Sequence, residues 1–599
     1  MRKFWPERKH HLKSQFPPPR KAQRLKEVAN LTQIQRGNWT KSKILFLFII
    51  PLFLYISLLP VMPLIEPDEA RYSDIPSLMN RMGDYITPHL NHVVYFEKPP
   101  LCYWATALLF KIFGESEFSS RLFVALCAWG CILLVYRVGT FFHDEKTGLY
   151  SAGVLSTFLF HSILGRTNIL DIPLTFFVSL AIWAGYRYFD EDYHRKGWLY
   201  LLYAGSAFAF LTKGVIGIVF PFAITILWLF ISKRWRDVLK LFSPVGMIIF
   251  LLISCPWVIL VQKANKDFLW FFFIREHFLR YTTTLHGRHQ NILFYVPVVI
   301  FGTLPWSAFL LKAIKEGKDK GASPIFKTTD KTFLLTWAIF IFVFFSISSS
   351  KLIPYIAPIF LPIAVTLGHL FRLYEDRGII LKKAAGGRLL YHLPIILQSL
   401  LFITLLLSPP FLKNMKLGKA VVIVPSGKWW GLIVLPILFQ MMIIFLPDLV
   451  KRVYKGGWFM TVYLLSTLFW GSLVFPIAHF LTPYKSAYPV SKAIHALLPP
   501  NQDLFQFGIS LYGVDFYNRI RTPIVGYSGE LEFGIKQLPS DEKSRYFLSL
   551  QAFFNLCKQK GDIYCVTKFK ENVEFLKRRF PNLDVLWNNG AFYLLRLRC

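Results

Sequence analysis

The chain predicts a polytopic α-helical membrane protein of about thirteen transmembrane helices, followed by a small C-terminal α/β domain. Three observations carry that expectation. Apolar residues make up 54% of the sequence while only 17% are charged, well below the roughly one quarter usual in soluble domains. Apolar runs of roughly 20 residues, the length that crosses about 30 Å of hydrocarbon, recur between Leu45 and Leu481. Beyond Thr482 the composition returns to a soluble mixture with short alternating runs.

The elements follow in order. Residues 1–43 form a strongly basic tail. The first run, Leu45 to Leu64, lacks a small-residue cleavage site behind it and follows too long a tail for a signal peptide, so it is expected to stay as an anchor. Leu101 to Phe113 is apolar but short, and reads as a helix lying in the membrane interface. Spans are then expected at Leu122–Phe142, Gly148–Ile163, Ile169–Phe189, Leu199–Leu211, Val215–Ile231 and Leu239–Val261. Further ones follow at Ile292–Leu311, Phe333–Ile347, Ile353–Leu370, Leu389–Leu407, Trp429–Leu446 and Trp458–Leu481. The tail and the basic loops around Lys233–Arg236, Lys312–Lys331, Arg372–Arg388 and Lys451–Lys455 share one side if the spans alternate, and that side is the cytoplasm. An odd number of spans leaves the C-terminal region outside. The membrane domain therefore runs over 44–481, with an outer loop at 66–120, and residues 482–599 form the outer α/β domain. In that domain, strand-like runs at Leu504–Phe507, Ile524–Gly526 and Ile563–Val566 alternate with helical patterns at Asp541–Lys558 and Lys570–Arg579. It has no Gly-rich phosphate loop, and its Cys557 and Cys565 leave a pairing open.

The net charge of +33 is explained by the basic inner loops. A nucleic-acid partner is excluded, because a basic binding face needs a soluble scaffold to present it.

The polar residues that need a function converge on the outer face. Glu66-Pro-Asp-Glu-Ala-Arg-Tyr72 and Tyr95-Phe-Glu-Lys-Pro-Pro100 lie in the first outer loop, and Asp171, Lys213, the loop Gln262–Asn291 and Ser350-Lys351-Leu-Ile-Pro-Tyr355 fall on the same side. Ionisable groups beside a bilayer are costly unless they serve a site. A transporter places them near the midplane, on broken helices; here they sit at span ends and in loops. Outside the membrane a group-transfer enzyme needs an activated donor carried by lipid, such as a sugar on polyprenyl phosphate. Cations such as Arg71, Lys98, Lys213 and Lys351 suit the departing phosphate, and a carboxylate suits a general base.

The segments Pro67-Asp-Glu-Ala-Arg-Tyr72, Gly83-Asp84, Phe96-Glu-Lys-Pro-Pro100 and Tyr103-Trp104 closely resemble the bacterial 4-amino-4-deoxy-L-arabinose lipid A transferase family. These are C-type polytopic membrane glycosyltransferases related to the protein O-mannosyltransferases. The likeness continues through Asn168-Ile-Leu-Asp171, Leu211-Thr-Lys-Gly214, Arg275-Glu-His277 with Arg280, and Ser349–Tyr355. It implies a multi-pass protein of the bacterial inner membrane, in contact with membrane lipids, with its active site on the periplasmic side. The implied reaction moves a sugar, 4-amino-4-deoxy-L-arabinose first of all, from undecaprenyl phosphate to lipid A, which lowers surface charge and weakens polymyxin binding. Another sugar or acceptor, as in protein O-mannosylation, is the competing outcome. By the same resemblance Asp68 and Asp171 are the catalytic acids. Lys98, Arg71, Lys213, Arg280, Lys351 and Tyr355 bind the donor phosphate, and Glu97 with His277 holds a divalent metal, zinc in the family.

Plainer roles compete with these. Asp68 and Glu69 also read as solvated loop acids, Asp171 before Ile172-Pro173 as a helix cap, and Glu97–Lys98 as a surface ion pair. Lys213 and Lys351 also read as snorkelling lysines, His277 as an interfacial histidine, and the aromatics of Phe268–Phe273 as membrane-interface anchors.

Overall fold

The structure is a computed structural model that describes residues 49, 51–53, 55–191, 193–279, 290–316, 328–377, 396, 398–400, 402, 416–417, 420–421, 428–453, 457–499 and 502–598. The chain divides into two units, 1–48 and 49–599. The first, with the basic tail, lies outside the described residues, as do Arg280 and most of the expected span Leu389–Leu407.

The second unit is mainly helical up to Lys485. Among the described residues, five helical stretches are long and apolar enough to cross a membrane: Glu117–Phe142, Pro244–Ala264, Asp330–Ile347, Ile353–Glu375 and Trp458–Lys485. Some runs that read as one span are interrupted. Gly148–Ile163 is split between Glu145–Thr157 and Leu159–Leu164, because Phe158 leaves the helical conformation (φ −58°, ψ 128°) and the Leu159 N–H donates to the Leu304 carbonyl at 3.0 Å. Hydropathy cannot register such a break, since averaging over a span-length window passes over the conformation of a single residue.

The first loop is built on helix α1, Asp68–Met82, which has Asp68 and Glu69 in its opening turn, where acids complement the helix dipole. It is buried on nearly every side, polar Ser73, Asp74 and Ser77 included. A hairpin of β1, His89–Leu90, and β2, Val93–Val94, then leads into α2, Leu101–Phe113. The long α3, Glu117–Phe142, starts with a capping box between Ser116 and Ser119. Helices α4, Asp171–Asp190, and α5, Lys196–Lys213, pack side by side behind it.

The C-terminal residues form a six-stranded sheet. Its strands are β3 (Leu504–Phe507), β4 (Ile524–Val525), β5 (Phe547–Leu548), β6 (Asp562–Thr567), β7 (Asp584–Asn588) and β8 (Tyr593–Arg598), in the order β5-β4-β3-β6-β8-β7. The first four are parallel, and β8 runs antiparallel to both its neighbours. Strand periodicity sorts the side chains. Phe505, Phe507, Cys565 and Leu595 pack on one face with α8 (Leu550–Lys560) and α9 (Lys570–Arg579). Leu504, Val566 and Leu594 pack on the other with α6 (Tyr488–Leu497) and α7 (Tyr512–Asn518). Cys565 is a free buried thiol, so it does not pair with Cys557, which is disulfide-bonded.

This sheet unit shares a core with the first loop. Ala70, Ile75 and Met79 of α1, Leu90 and Val93 of the hairpin, and Tyr512, Ile524, Leu531 and Ile535 of the C-terminal residues form one buried cluster. Gly534 is required there: a Cβ on it would come within 2.6 Å of the Val93 Cβ and the Val94 carbonyl oxygen. Polar contacts reinforce the seam. The Gly513 N–H donates to Glu66 Oε1 at 2.6 Å, the Leu64 N–H to the Tyr517 hydroxyl at 2.8 Å, and Asn91 Nδ2 to Asp515 Oδ2 at 2.6 Å. Burial pushes the Glu66 carboxyl up to about 8. Burial, joined by the Asp515 carboxylate, pushes Asp74 well above the usual carboxylate range.

Candidate active site

One cavity of about 390 Å³ gathers residues from seven separate stretches of the chain. Asp68, Arg71 and Tyr72 come from α1, Glu97 and Lys98 from the stretch before α2, and Asp171 and Lys213 from the facing ends of α4 and α5. Arg275 and Glu276 come from the π-helix Trp270–Leu279, and Tyr355 from the 3₁₀ turn Ile353–Ile359. The remaining wall is Gly529, Glu530, Glu532 and Phe533 of the C-terminal unit.

Asp171 opens α4, yet its side chain makes no cap; Oδ1 accepts from Lys213 Nζ at 2.6 Å. That ammonium also lies 4.6 Å from the centre of the Tyr355 ring. Lys213 is placed by the end of its helix. Gly214 follows in a left-handed conformation (φ 86°), which lets the chain turn away at once and leaves the lysine at the cavity edge. Lys98 is almost fully buried and donates to the Glu97 carbonyl at 2.7 Å, with its own ammonium 3.8 Å from the Glu97 carboxylate.

Arg71 is the most heavily engaged cation. It pairs with Asp68 on its own helix and with Glu530 across the cavity, and it lies 4.9 Å from the Tyr72 ring centre and 5.8 Å from that of Tyr95. Burial disfavours its charge, but the surrounding tyrosines and carboxylates outweigh that, so the guanidinium stays cationic. Burial in turn holds the Tyr72 and Tyr95 phenols protonated.

A second cavity, about 490 Å³, shares Glu97, Lys98, Asp171, Lys213, Glu276 and Tyr355 with the first. Its other walls are mostly apolar, with Leu174, Val215, Ile216, Val219, Phe273, Ile274, Phe344 and Phe345 beside Ser348 and Ser350. A polar chamber and an apolar groove thus meet at one ring of charged side chains. That shape suits an amphiphile with an anionic joint between a polar head and a hydrocarbon tail.

The sequence-derived residues divide against this geometry. Asp68, Arg71, Glu97, Lys98, Asp171, Lys213 and Tyr355 all line the polar chamber. Lys351 lines neither cavity; its ammonium donates to the Ser348 carbonyl at 2.7 Å and to that of Gln290 at 3.0 Å, so it fastens the loop that presents Tyr355. Arg280 and the His277 side chain lie outside the described residues. Glu69 is no solvated acid. It is 1% exposed and holds Arg121 through both carboxylate oxygens at 2.7 and 2.8 Å. The Phe268–Phe273 aromatics are not mainly interface anchors either. Phe268, Phe271 and Phe272 are buried with Phe96 and Trp257, and Phe271 packs 3.9 Å from the Phe533 ring. Glu530, Glu532 and Phe533 escaped the sequence reading because they belong to a segment without charge clustering or a motif; only the tertiary contact brings them to the site.

Among the described residues no three of His, Cys, Asp and Glu gather around one metal position.

Comparisons with known proteins agree with this picture. Residues 97–260 match the dolichyl-phosphate-mannose-protein mannosyltransferase family. The chain is 32% identical over 354 residues to undecaprenyl phosphate-alpha-4-amino-4-deoxy-L-arabinose arabinosyl transferase 1 of Proteus mirabilis, a match spanning 58% of this chain and 62% of that one. It is 30% identical to the corresponding transferase of Shewanella sediminis, over 56% of this chain and 62% of that one. The fold matches the crystal structure of ArnT from Cupriavidus metallidurans bound to undecaprenyl phosphate, with a TM-score of 0.77 and 24% identity, over 93% of this chain and 98% of that one. The chain spans less than two thirds of the length of these curated relatives, and the likeness to the solved structure shows that it shares that fold.

Proposed function

We propose that the protein is a lipid-linked glycosyltransferase that moves 4-amino-4-deoxy-L-arabinose from undecaprenyl phosphate to a phosphate of lipid A, at the periplasmic face of the bacterial inner membrane. The observation that carries this reading is the meeting of the polar chamber and the apolar groove at Lys98, Asp171, Lys213 and Tyr355. A prenyl tail fits the groove, its phosphate fits the ring of cations, and the sugar fits the chamber.

In the reaction the bond from sugar C1 to the carrier phosphate oxygen breaks, and the electron pair leaves with undecaprenyl phosphate as a dianion. A lipid A phosphate oxygen forms the new bond to C1, so one phosphomonoester dianion is consumed and another released, with no net proton transfer. Lys98 and Lys213 offset the charge growing on the leaving phosphate, already positioned by their contacts with Glu97 and Asp171. Asp68 and Asp171 orient the acceptor and stabilise the positive charge that develops on the sugar ring. Glu97 and His277 would hold a divalent metal, zinc by the family resemblance, which when bound would add positive charge beside the phosphate.

The proposed topology keeps about thirteen spans with the basic loops inside, which puts the C-terminal α/β domain outside. The disulfide at Cys557 supports an oxidising compartment for that domain. Protein O-mannosylation is the second reading, favoured by the match of residues 97–260. The test is incubation of the purified protein with undecaprenyl-phosphate aminoarabinose and either lipid A or an unfolded hydroxyl-rich peptide, followed by product masses. Sugar added to lipid A supports the first reading, and sugar added only to peptide replaces it. The pH profile separates the two as well. A hydroxyl acceptor needs a base and shows a rising acid limb set by a carboxylate, whereas a phosphate acceptor hardly needs deprotonation.

A further inference from the structure

The Arg71 guanidinium is shared between two carboxylates that arrive from opposite ends of the chain. One is Asp68, a single helical turn away; the other is Glu530, 459 residues later. Glu530 is itself held in place. It sits in the 3₁₀ turn Gly529–Leu531, its Oε1 accepts from the Tyr512 hydroxyl at 2.7 Å, and the adjoining Leu531 is buried in the core shared with α1. Arg71 cannot leave this arrangement cheaply, because it is buried and stacked beside Tyr72 and Tyr95.

The balance of charge gives Glu530 a consequence at the reacting end of the site. If Glu530 were uncharged, Arg71 would pair with Asp68 alone, and the carboxylate facing the chamber would lose part of its field. The chamber would also gain one net positive charge, which favours an anionic phosphate. Glu530 thus keeps Arg71 from neutralising Asp68 and from over-binding the carrier.

Resting on the transferase reading above, we propose that the C-terminal α/β unit is part of the reaction site, with Glu530 as a positioning residue that acts through Arg71 on Asp68. The Tyr512 hydroxyl holds the other carboxylate oxygen, Oε1, and so fixes the Glu530 group whose Oε2 meets Arg71.

The test uses the full-length purified protein with Glu530→Gln, Glu530→Asp, Arg71→Ala and the Glu530→Gln/Arg71→Ala double variant. Turnover is read alongside the Kd for undecaprenyl phosphate and the melting temperature. Expected for Glu530→Gln are a fall in kcat of about tenfold, as for a modest misplacement of a reacting group, and undecaprenyl phosphate binding about threefold tighter, as for one charge removed at partly screened range. Melting should change little, and Glu530→Asp should restore most of kcat. In the Arg71→Ala background the Glu530→Gln change should add nothing to kcat, since the partner through which it acts on Asp68 is gone. A merely structural Glu530 would lower active protein and melting temperature together and leave donor affinity unmoved. Unchanged or weakened undecaprenyl phosphate binding in Glu530→Gln overturns the proposal, as does a fall in kcat of the same size in the Arg71→Ala background. If the wild type transfers no sugar from any lipid-linked aminosugar, the transferase reading fails by itself, and the undecaprenyl phosphate arm still decides the role of Glu530.

Discussion

Asp68 and Glu69 are adjacent in sequence, carry the same charge and share the first turn of one helix, but they live under opposite conditions. The Glu69 carboxylate is shut away and fully subscribed: Arg121 grips both oxygens, and the Asn168 and Ile65 N–H groups donate to them at 2.7 and 3.1 Å. Arg121 in turn also donates to the Leu59, Met62 and Pro63 carbonyls, stitching the preceding segment to α3. The Asp68 side chain remains 59% exposed, faces the chamber and has only a share of Arg71. A buried ion pair with every lone pair satisfied fixes a backbone. An accessible carboxylate beside a half-committed cation is left with capacity to act on a ligand. The rotation of about 100° between successive helical residues is what lets one residue hold the loop while its neighbour faces the chamber.

The sharpest way to break this comparison is Asp68→Asn. Transfer should fall by about 100- to 10,000-fold where the carboxylate acts as a base, and by less for a phosphate acceptor, with melting unchanged. Wild-type turnover in a folded Asp68→Asn protein would remove Asp68 from the site. Glu69→Ala should do the reverse, costing about 3–5 kcal/mol of stability by leaving Arg121 buried without its anion. Lowered yield and an early melt are expected, and a Glu69 variant that melts normally but cannot transfer sugar would erase the distinction. Lys98→Ala comes next, weakening undecaprenyl phosphate binding about tenfold through loss of a charge-assisted phosphate contact. Equilibrium binding of the lipid to detergent-solubilised protein measures it, and a variant with unchanged affinity but lower stability would return Lys98 to a plain ion-pair role. On the same preparations, zinc content should fall in both Glu97→Ala and His277→Ala; retention in either takes that residue out of the metal pair.

The smallest effect concerns Glu66, two residues before Asp68. Its carboxyl rises on folding from 4.5 to about 8, so the folded chain holds a proton that the unfolded chain gives up in between. The resulting stabilisation is present below about pH 4.5 and drains away as pH rises through about 8. Removing that term should flatten the decline by ~2 kcal/mol, seen as a melting temperature of Glu66→Gln that falls less between pH 5 and pH 8 than that of the wild type. Parallel declines in the two proteins would show that other groups set the pH dependence of the seam.

The comparison also shows what one dimension of sequence carries. Charge clusters between apolar runs point to Asp68, Arg71, Glu97, Lys98, Asp171 and Lys213, which line one chamber, because the cost of placing charge beside a bilayer makes such clusters conspicuous; Tyr355 rests on the family resemblance. The same rule could not tell Asp68 from Glu69, since their difference lies in Arg121, some fifty residues further on. Lys351 carried the right charge in the right loop but turned its ammonium to two carbonyls, a choice set by local backbone geometry. Alternating apolar residues marked β3 and β6 at close to their observed limits. Nothing in that pattern indicated that Leu531 and Ile535 would enter a core with Ile75 and Met79, because docking between distant segments leaves no periodic trace.

The wall formed by Gly529, Glu530 and Phe533 also bears on how the protein is made. Ribosomes deliver Asp68 and Arg71 long before the residues that close the chamber, so a nascent chain carries most of the site's charges with one side open. The late contact is of very high sequence separation, the kind that folding reaches last. A chain interrupted before residue 529 lacks the partner that balances Arg71. On this arrangement, synthesis doubles as a safeguard: the chamber is closed only when the C-terminal unit has folded and pressed against the loop made at the start.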